Sequence, residues 1–410
     1  MFRAPIISNM ARVWLALLGM SLNLAGQDRA SAPDASSILL ERVRAHMAET
    51  LSRQPNYTCL ETIDRSNRGS KEKEFRLEDT VRLEVALVDG KEMFAWPGSK
   101  QFEDTDMRDF IPTGMFGNGD FGLYANAVFK GRSTEFQYQG QVKMGDRVTD
   151  RFDFRVPAPS GIKIRQQELT ATVSYHGSFY AEAGTLDALR LEVEADALPP
   201  KLELRLVSDT MEYKRTRIGS GDFLLPSLSE IKMVSSRGDA SLNVVRFSAC
   251  HEFAGESTLK FGDDDDVAST ATPAMKQELL LPKNAGITLK LVGEIDTNKV
   301  AVGDPVKATV ASDVKEKGKV VLAKGVAVSG HIIRVERYQD FTVLGLMFEE
   351  AESETAHVRL DLSFERAMGA DVLPSARWGT SSPARPHEGL VPLRPGHLHV
   401  TGGVVMYWRN

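Results

Sequence analysis

From Asn56 to about Phe261, short segments alternate apolar and polar residues with a period of two, and no helical stretch separates them. Strict alternation gives a strand one wet face and one buried face. Many such strands in succession pair antiparallel rather than as a parallel α/β sheet. Val81-Arg82-Leu83-Glu84-Val85-Ala86-Leu87 is one example; Asp89-Gly90 then supplies a hairpin turn and Met93-Phe94-Ala95-Trp96 returns. The same rhythm runs through Arg151 to Val156, through Val173, Tyr175, Gly177 and Phe179, through Leu189, Leu191 and Val193, and through Leu202, Leu204 and Leu206.

A helix is expected before the sheet, from about Ser37 to Gln54. Ser36 or Ser37 can cap it, and Pro55 ends it. Leu40, Val43, Met47 and Leu51 line one side at helical spacing. One helix of this length is marginal in water, so it must lie on the apolar face of the sheet. The rhythm breaks between Asp109 and Phe129, where five Gly and Pro residues mix with aromatics. A loop or short helix against the sheet is expected there, either as ordinary packing or as a wall of an apolar groove. No Lys-Ser or Lys-Thr follows the glycines, so a phosphate loop is a poor fit.

The first residues carry an export signature. Arg3 and Arg12 precede an apolar run from Val13 to Ala25, and small residues follow. Basic flank, short apolar core and small-residue cut site are the layout of a secretory leader. The run is shorter than the roughly 20 residues needed to span a bilayer. Removing residues 1–26 leaves 48 basic and 56 acidic residues, a net charge of −8. With no clustered basic stripe, a nucleic-acid partner is not expected. In an oxidising compartment the only two cysteines, Cys59 and Cys250, are expected to form a disulfide; two unrelated core residues are the alternative.

At 410 residues, two domains are the natural division. The expected order is a leader (1–26), a helix with an antiparallel β half-barrel (37–262), an acidic and polar linker (263–277), and a small β-barrel or sandwich (278–410). The linker contains four adjacent aspartates, Asp263 to Asp266, which repel one another and favour extension. Within the last unit, Ala370 to Pro395 is expected to be a long surface loop.

The chain lacks the common catalytic patterns. There is no Gly-x-Ser-x-Gly elbow. Three Ser-x-x-Lys matches fall outside helices, where the two side chains would not meet. His251-Glu252 and His387-Glu388 lack the second histidine of a zinc protease. His397 and His399 share one strand face but have no completing ligand. Asp187, Glu192, Glu194 and Asp196 are expected to form a solvated acidic face. No catalytic residue, metal or cofactor is expected.

The segment Val173 to Asp187 leading into Leu189-Arg190-Leu191-Glu192-Val193 resembles the strand-turn-strand of the outer-membrane lipoprotein carrier superfamily. The wider pattern, from Asn56-Tyr57-Thr58-Cys59 through Gly219 to Pro226 and on to Cys250, is similar to exported proteins of acidobacterial type. The resemblance covers about residues 37–261. It implies a curved half-barrel whose concave face, covered by the helix, holds acyl chains; it transfers no ligand-contact motif residue by residue. In the last unit, Val302 to Val306, Val320 to Gly325 and Val328 to Gly330 faintly resemble the β-barrel of conjugal-transfer channel proteins.

The expectation is therefore an exported, non-catalytic binding protein with a lipid or other apolar ligand. Phe94, Trp96, Phe152, Phe154, Tyr175 and Phe179 are the candidate lining of its inner face. The alternative is a cell-envelope structural or assembly protein whose β units dock an envelope protein. Peripheral membrane contact is compatible with either, and no transmembrane span is expected in the mature chain.

Overall fold

The computed structural model describes residues 34–99, 102, 107–111, 123–166, 169–253, 277–279, 281–352, 356–374, 379–380, 383–399 and 403–410. The expected leader and all but the last residue of the expected linker lie outside them. Among the described residues the protein is mainly β, with 60% in strands and 11% in helices.

Helix α1 (Ala35–Ser52) opens the described chain. Asp34 caps it by accepting from the Ser37 amide at 2.7 Å, two residues before the first of the expected serine caps, Ser36. The hairpin expected at Asp89-Gly90 joins β2 (Arg76–Val88) to β3 (Lys91–Ala95); both turn residues have positive φ, as a type I′ turn requires. Preceding them is β1 (Tyr57–Arg68). The stretch that breaks the rhythm contributes two short helices, α2 (Met107–Phe110) and α3 (Leu123–Lys130). Strands β4 (Glu135–Met144) and β5 (Arg147–Val156) follow. A separate hairpin comprises β6 (Ile162–Gln166) and β7 (Leu169–Val173). Strands β8 (Tyr175–Glu182), β9 (Ala188–Ala195), β10 (Leu204–Ile218), β11 (Gly221–Ser235) and β12 (Ala240–Glu252) complete the first sheet. Its ten strands run in the order β3-β2-β1-β12-β11-β10-β9-β8-β5-β4. Every neighbouring pair is antiparallel. Cys59 on β1 and Cys250 on β12 form the expected disulfide, across 191 residues of sequence.

The second sheet begins at β13 (Gln277–Leu279) and β14 (Gly286–Val292), with β15 (Glu294–Asp296) beyond. Next come β16 (Pro305–Val310), the small hairpin β17 (Val314–Glu316) and β18 (Lys319–Leu322), β19 (Ala327–Arg337), β20 (Thr342–Glu352), β21 (Ala356–Arg359) and β22 (Ser363–Gly369). The last strands are β23 (Gly389–Leu393), β24 (His397–His399) and β25 (Val404–Arg409). The order is β13-β21-β20-β19-β16-β14-β25-β22, with β23 pairing off β20. The sheet curls until β23 lies alongside β22. Trp408 fills the interior, its ring 5.7 Å from Phe348 and 4.9 Å from Phe364.

Strand β23 corrects the expectation of a surface loop from Ala370 to Pro395. Gly389, Val391 and Leu393 are buried in the curled sheet. Pro392 masks the strand in the sequence. It is tolerated because Pro392 faces away from β20: its carbonyl accepts from the Leu373 amide at 2.9 Å on the opposite side, so the missing N–H takes no bond from the β20 ladder.

The two sheets meet through backbone as well as side chains. The Arg82 amide donates to the Val302 carbonyl at 2.7 Å, and the Val302 amide donates to the Thr80 carbonyl at 2.8 Å. Gly303 makes this approach possible: its φ is +94°, and a Cβ there would sit 2.0 Å from the Arg82 carbonyl oxygen. Arg82 and Asp304 pair across the same junction. One apolar core runs through both sheets, joining Tyr57, Leu83 and Phe247 to Leu289, Leu344 and Trp408.

Candidate functional site

A second core lies at the other end of the first sheet, beneath α1. The spacing of Val43, Met47 and Leu51 puts all three on the buried side of the helix, and Leu40 packs beside them. Helix α3 adds Ala125, Val128 and Phe129. Strands β5 and β8 supply the floor by alternation: Phe152, Phe154, Tyr175 and Phe179 point inward. Phe152 and Phe179 stack at 5.0 Å, and Phe129 meets Phe179 edge-on at the same distance. Phe154 and Tyr124 each approach Tyr175, at 6.1 and 5.8 Å.

Four of the six aromatic residues singled out in the sequence thus share one surface. Phe94 and Trp96 do not join them. They sit on β3 and just after it, in the core shared with the second sheet, where Trp96 packs on Phe110 and stacks on His331 at 5.7 Å. Sequence alternation fixes which way a strand residue points, but not which end of a ten-stranded sheet it occupies.

The helix is fastened through side chains. His46 Nε2 lies 2.7 Å from Asp187 Oδ1, and the guanidinium of Arg215 grips the same carboxylate with two contacts of 2.8 Å. Burial pushes the Asp187 carboxyl up, but Arg215 and then His46 outweigh it and hold it below the usual carboxylate range. Arg44 donates to the Gly131 carbonyl at 2.7 Å and lies over the Phe136 ring. Gln54 donates to the Leu224 carbonyl at 2.8 Å. Asp187 therefore leaves the expected solvated acidic face: it is buried, in the turn before β9. Asp196 is engaged too, by His176 at 2.7 Å and Arg155 at 3.0 Å.

The inner face also carries polar groups that sequence reasoning passed over. Glu61 is fully buried, and neither of its oxygens has a hydrogen-bond partner among the described residues. Burial, helped by the charge of Glu92, pushes its carboxyl well above the ordinary range. Asn243 on β12 is equally buried, with neither side-chain polar atom hydrogen-bonded among the described residues. Asp209 on β10 accepts from Ser229 Oγ at 2.6 Å, and burial pushes it up to about 7. The signal was present: Glu61 shares strand parity with Cys59 and Ile63. Two neighbouring strands separate β1 from β10, and the register sets Asp209 level with Arg65 rather than Glu61, so along a flat sheet the two carboxyls lie more than about 14 Å apart. The paired carboxylates of glycoside hydrolysis stand at about 5–9.5 Å. No group of three or more metal-ligating side chains occurs among the described residues.

No family model matches the chain, and no curated protein matches it. Solved structures do. A DUF1329 family protein from Desulfovibrio piger matches with a TM-score of 0.30 and 12% identity, over 55% of this chain and 96% of that one. A LolA superfamily protein from Nitrosomonas europaea matches with a TM-score of 0.28 and 11% identity, over 52% and 94%. An outer-membrane lipoprotein-sorting domain from Vibrio parahaemolyticus matches with a TM-score of 0.27 and 11% identity, over 51% and 94%. No helix among the described residues is long and apolar enough to cross a membrane.

Proposed function

We propose that the chain is an exported, non-catalytic binding protein that takes an apolar ligand, a lipid or its acyl part, between α1 and the aromatic face of β5 and β8. The observation that carries this reading is how the helix is held. Its apolar side covers a continuous aromatic surface, while its attachments to the surroundings are side-chain contacts from His46, Arg44 and Gln54. Such a cover can part from the sheet without breaking a strand ladder, and the surface it leaves is suited to an acyl chain. The closed form described here is packed with side chains, so uptake requires the helix to move.

The test is to stop that movement. Met47 Sδ lies 3.3 Å from the Ala188 amide, so a Met47→Cys/Ala188→Cys pair can be joined by a short bifunctional thiol reagent. The native cysteines are bonded to each other and do not compete for the reagent. Native mass spectrometry of the gently purified protein should find co-purifying lipid, and the locked variant should have lost it. Lipid-free native protein that takes up none on mixing, or uptake unchanged by the lock, refutes the proposal.

A further inference from the structure

A second crevice lies where the two sheets meet, away from α1. It encloses about 700 Å³, within the roughly 300–1,000 Å³ of ordinary ligand pockets. One wall is apolar and comes from both sheets: Trp96 and Phe110 from the first unit, Ile333, Met347 and Leu360 from the second. Two carboxylates also line the crevice, Glu349, which lies 2.8 Å from His331, and Glu350, which lies 3.7 Å from His357. At Ile333 and Arg385 it adjoins a smaller space of about 310 Å³, whose wall is different in kind. Four arginines line it: Arg65, Arg334, Arg337 and Arg385.

Two of these are already neutralised. Arg65 is paired with Asp79, at 2.7 Å from Nε, and Arg334 with Glu388, by two contacts of 2.8 Å. The other two meet carbonyls instead. Arg385 donates to Ile333 O at 3.1 Å, and Arg337 donates to Thr297 O and Val300 O at 3.3 and 2.6 Å. Neither has a carboxylate at ion-pair distance among the described residues. Of the acids lining the small space, Glu336 is engaged by Arg334 and Glu78 by Asn67. Burial depresses the Arg385 guanidinium; Glu388 opposes that, and the nearby charges of Arg334 and Arg65 add to it. A trough with one apolar wall thus ends at a guanidinium that no carboxylate pairs at ion-pair distance among the described residues.

We propose that this seam binds a single-chain anionic amphiphile, its acyl chain along Trp96 and Leu360 and its carboxylate at Arg385. Arg337 on one side and Arg359 on the other add positive field. An alcohol of the same chain length would fit the trough but leave the cation unmatched. This site does not depend on the proposed role of α1.

Trp96 reports directly on the crevice. Bromine-labelled stearate added to the full-length mature protein should quench tryptophan fluorescence saturably, and Trp96→Phe should remove most of that response. Stearyl alcohol should compete at least about tenfold less well, and Arg385→Gln should weaken stearate about tenfold. The exposed Arg359→Gln should weaken it about threefold, and it decides the matter if Arg385→Gln fails to fold. The Met47→Cys/Ala188→Cys lock should leave seam binding unchanged. Equal binding of acid and alcohol, indifference of stearate to both arginine variants, or quenching abolished by the lock would each overturn the seam proposal. The last result alone would place the chain beneath α1.

Discussion

The two ends of the first sheet are closed by opposite means. At the β3-β2-β1-β12 end, closure is covalent and continuous. A disulfide joins β1 to β12, backbone hydrogen bonds tie β2 to the Val302 loop, and one apolar core passes into the second sheet. At the β8-β5-β4 end, a single amphipathic helix and the short α3 lie over aromatic side chains, with the Asp187 carboxylate at the centre of the attachment. The first end resists opening because backbone, core and covalent bond must all yield together. The second can open by exchanging a few side-chain contacts for water. A binding protein built on one sheet can thus keep a permanent wall and a movable cover, and stability need not be spread evenly between them.

The largest effect should come from cutting the permanent wall. Replacing Cys59 and Cys250 together by serine releases a loop of 191 residues in the unfolded chain. The chain-entropy model puts the loss at about 5 kcal/mol. Denaturant titration should show a much lower midpoint, with loss of the shared core. A near-wild-type midpoint would mean that the second sheet alone holds that end, and the contrast would have to be redrawn. Next, Phe179→Ala removes a fully buried ring that touches Phe129, Phe136 and Phe152. It should cost about 3–5 kcal/mol, as a cavity that its neighbours cannot close. Amide exchange should rise in α1 and α3 before it rises in β1 and β2.

The two regions should also answer pH with opposite signs. Asp209 stands at about 7 in the folded protein against 3.8 in a model peptide, because burial disfavours its charge. Its folded value is raised, so its stabilising contribution is complete below about pH 4 and is lost as the pH climbs through 7. Glu61 acts in the same direction. Asp187 is the reverse: its folded value is depressed, so its contribution holds at neutral pH and disappears as the pH falls below the ordinary carboxylate value. Mild acid should therefore firm the sheet interior, and stronger acid should release the helix. Stability measured from pH 4 to 7 should decline by a few kcal/mol in the wild type. Asp209→Asn should flatten much of that slope; a slope unchanged in the variant would remove Asp209 from the account.

The contrast was partly legible in the sequence. Alternation from Val81 to Leu87 and from Arg151 to Val156 defined strands and inner faces, and helical spacing picked out Val43, Met47 and Leu51. The cysteine pair and the Asp89-Gly90 turn were equally plain. Strand order was not, because β1 pairs with β12 across the whole unit, and nothing local encodes that pairing. For that reason Phe94 and Trp96 could not be separated from Phe152 and Phe179. The Asp187 attachment was hidden because its three members, His46, Asp187 and Arg215, come from distant segments. The seam arginines were hidden in the same way, with Arg65, Arg337 and Arg385 far apart in sequence. Pro392 concealed β23, because a proline in an apolar run argues against a strand unless its missing N–H faces away from the main ladder.

A smaller loss should follow from loosening the cover alone. Arg215→Ala removes both guanidinium contacts to Asp187 and leaves the His46 hydrogen bond in place. Arg215 is partly solvated, so the cost should be about 1–2 kcal/mol rather than that of a fully buried pair. The informative readout is local. Exchange protection in α1 should fall while that of β1 and β12 stays as in the wild type, and lipid uptake should speed up. Loss of protection at both ends together would show one cooperative unit where the structure shows two kinds of closure.

The smallest effect belongs to the first turn of the helix. Asp34 accepts from the Ser36 hydroxyl at 2.6 Å and the Ser37 amide at 2.7 Å, and these bonds hold its exposed carboxyl below the ordinary range. Asp34→Ala leaves the buried positions Val43, Met47 and Leu51 untouched, so the aromatic surface stays covered. Only the amides near Ser37 lose a partner, and fraying should stop within a turn because the apolar side of α1 begins to pack at Leu39 and Leu40. Hydrogen exchange should therefore quicken at Ser37 and Ile38 with little change at Met47. If protection at Met47 fell as well, the helix would be held by its cap rather than by the aromatic surface and Asp187, and the cover would be far looser than the contacts of His46 and Arg44 imply.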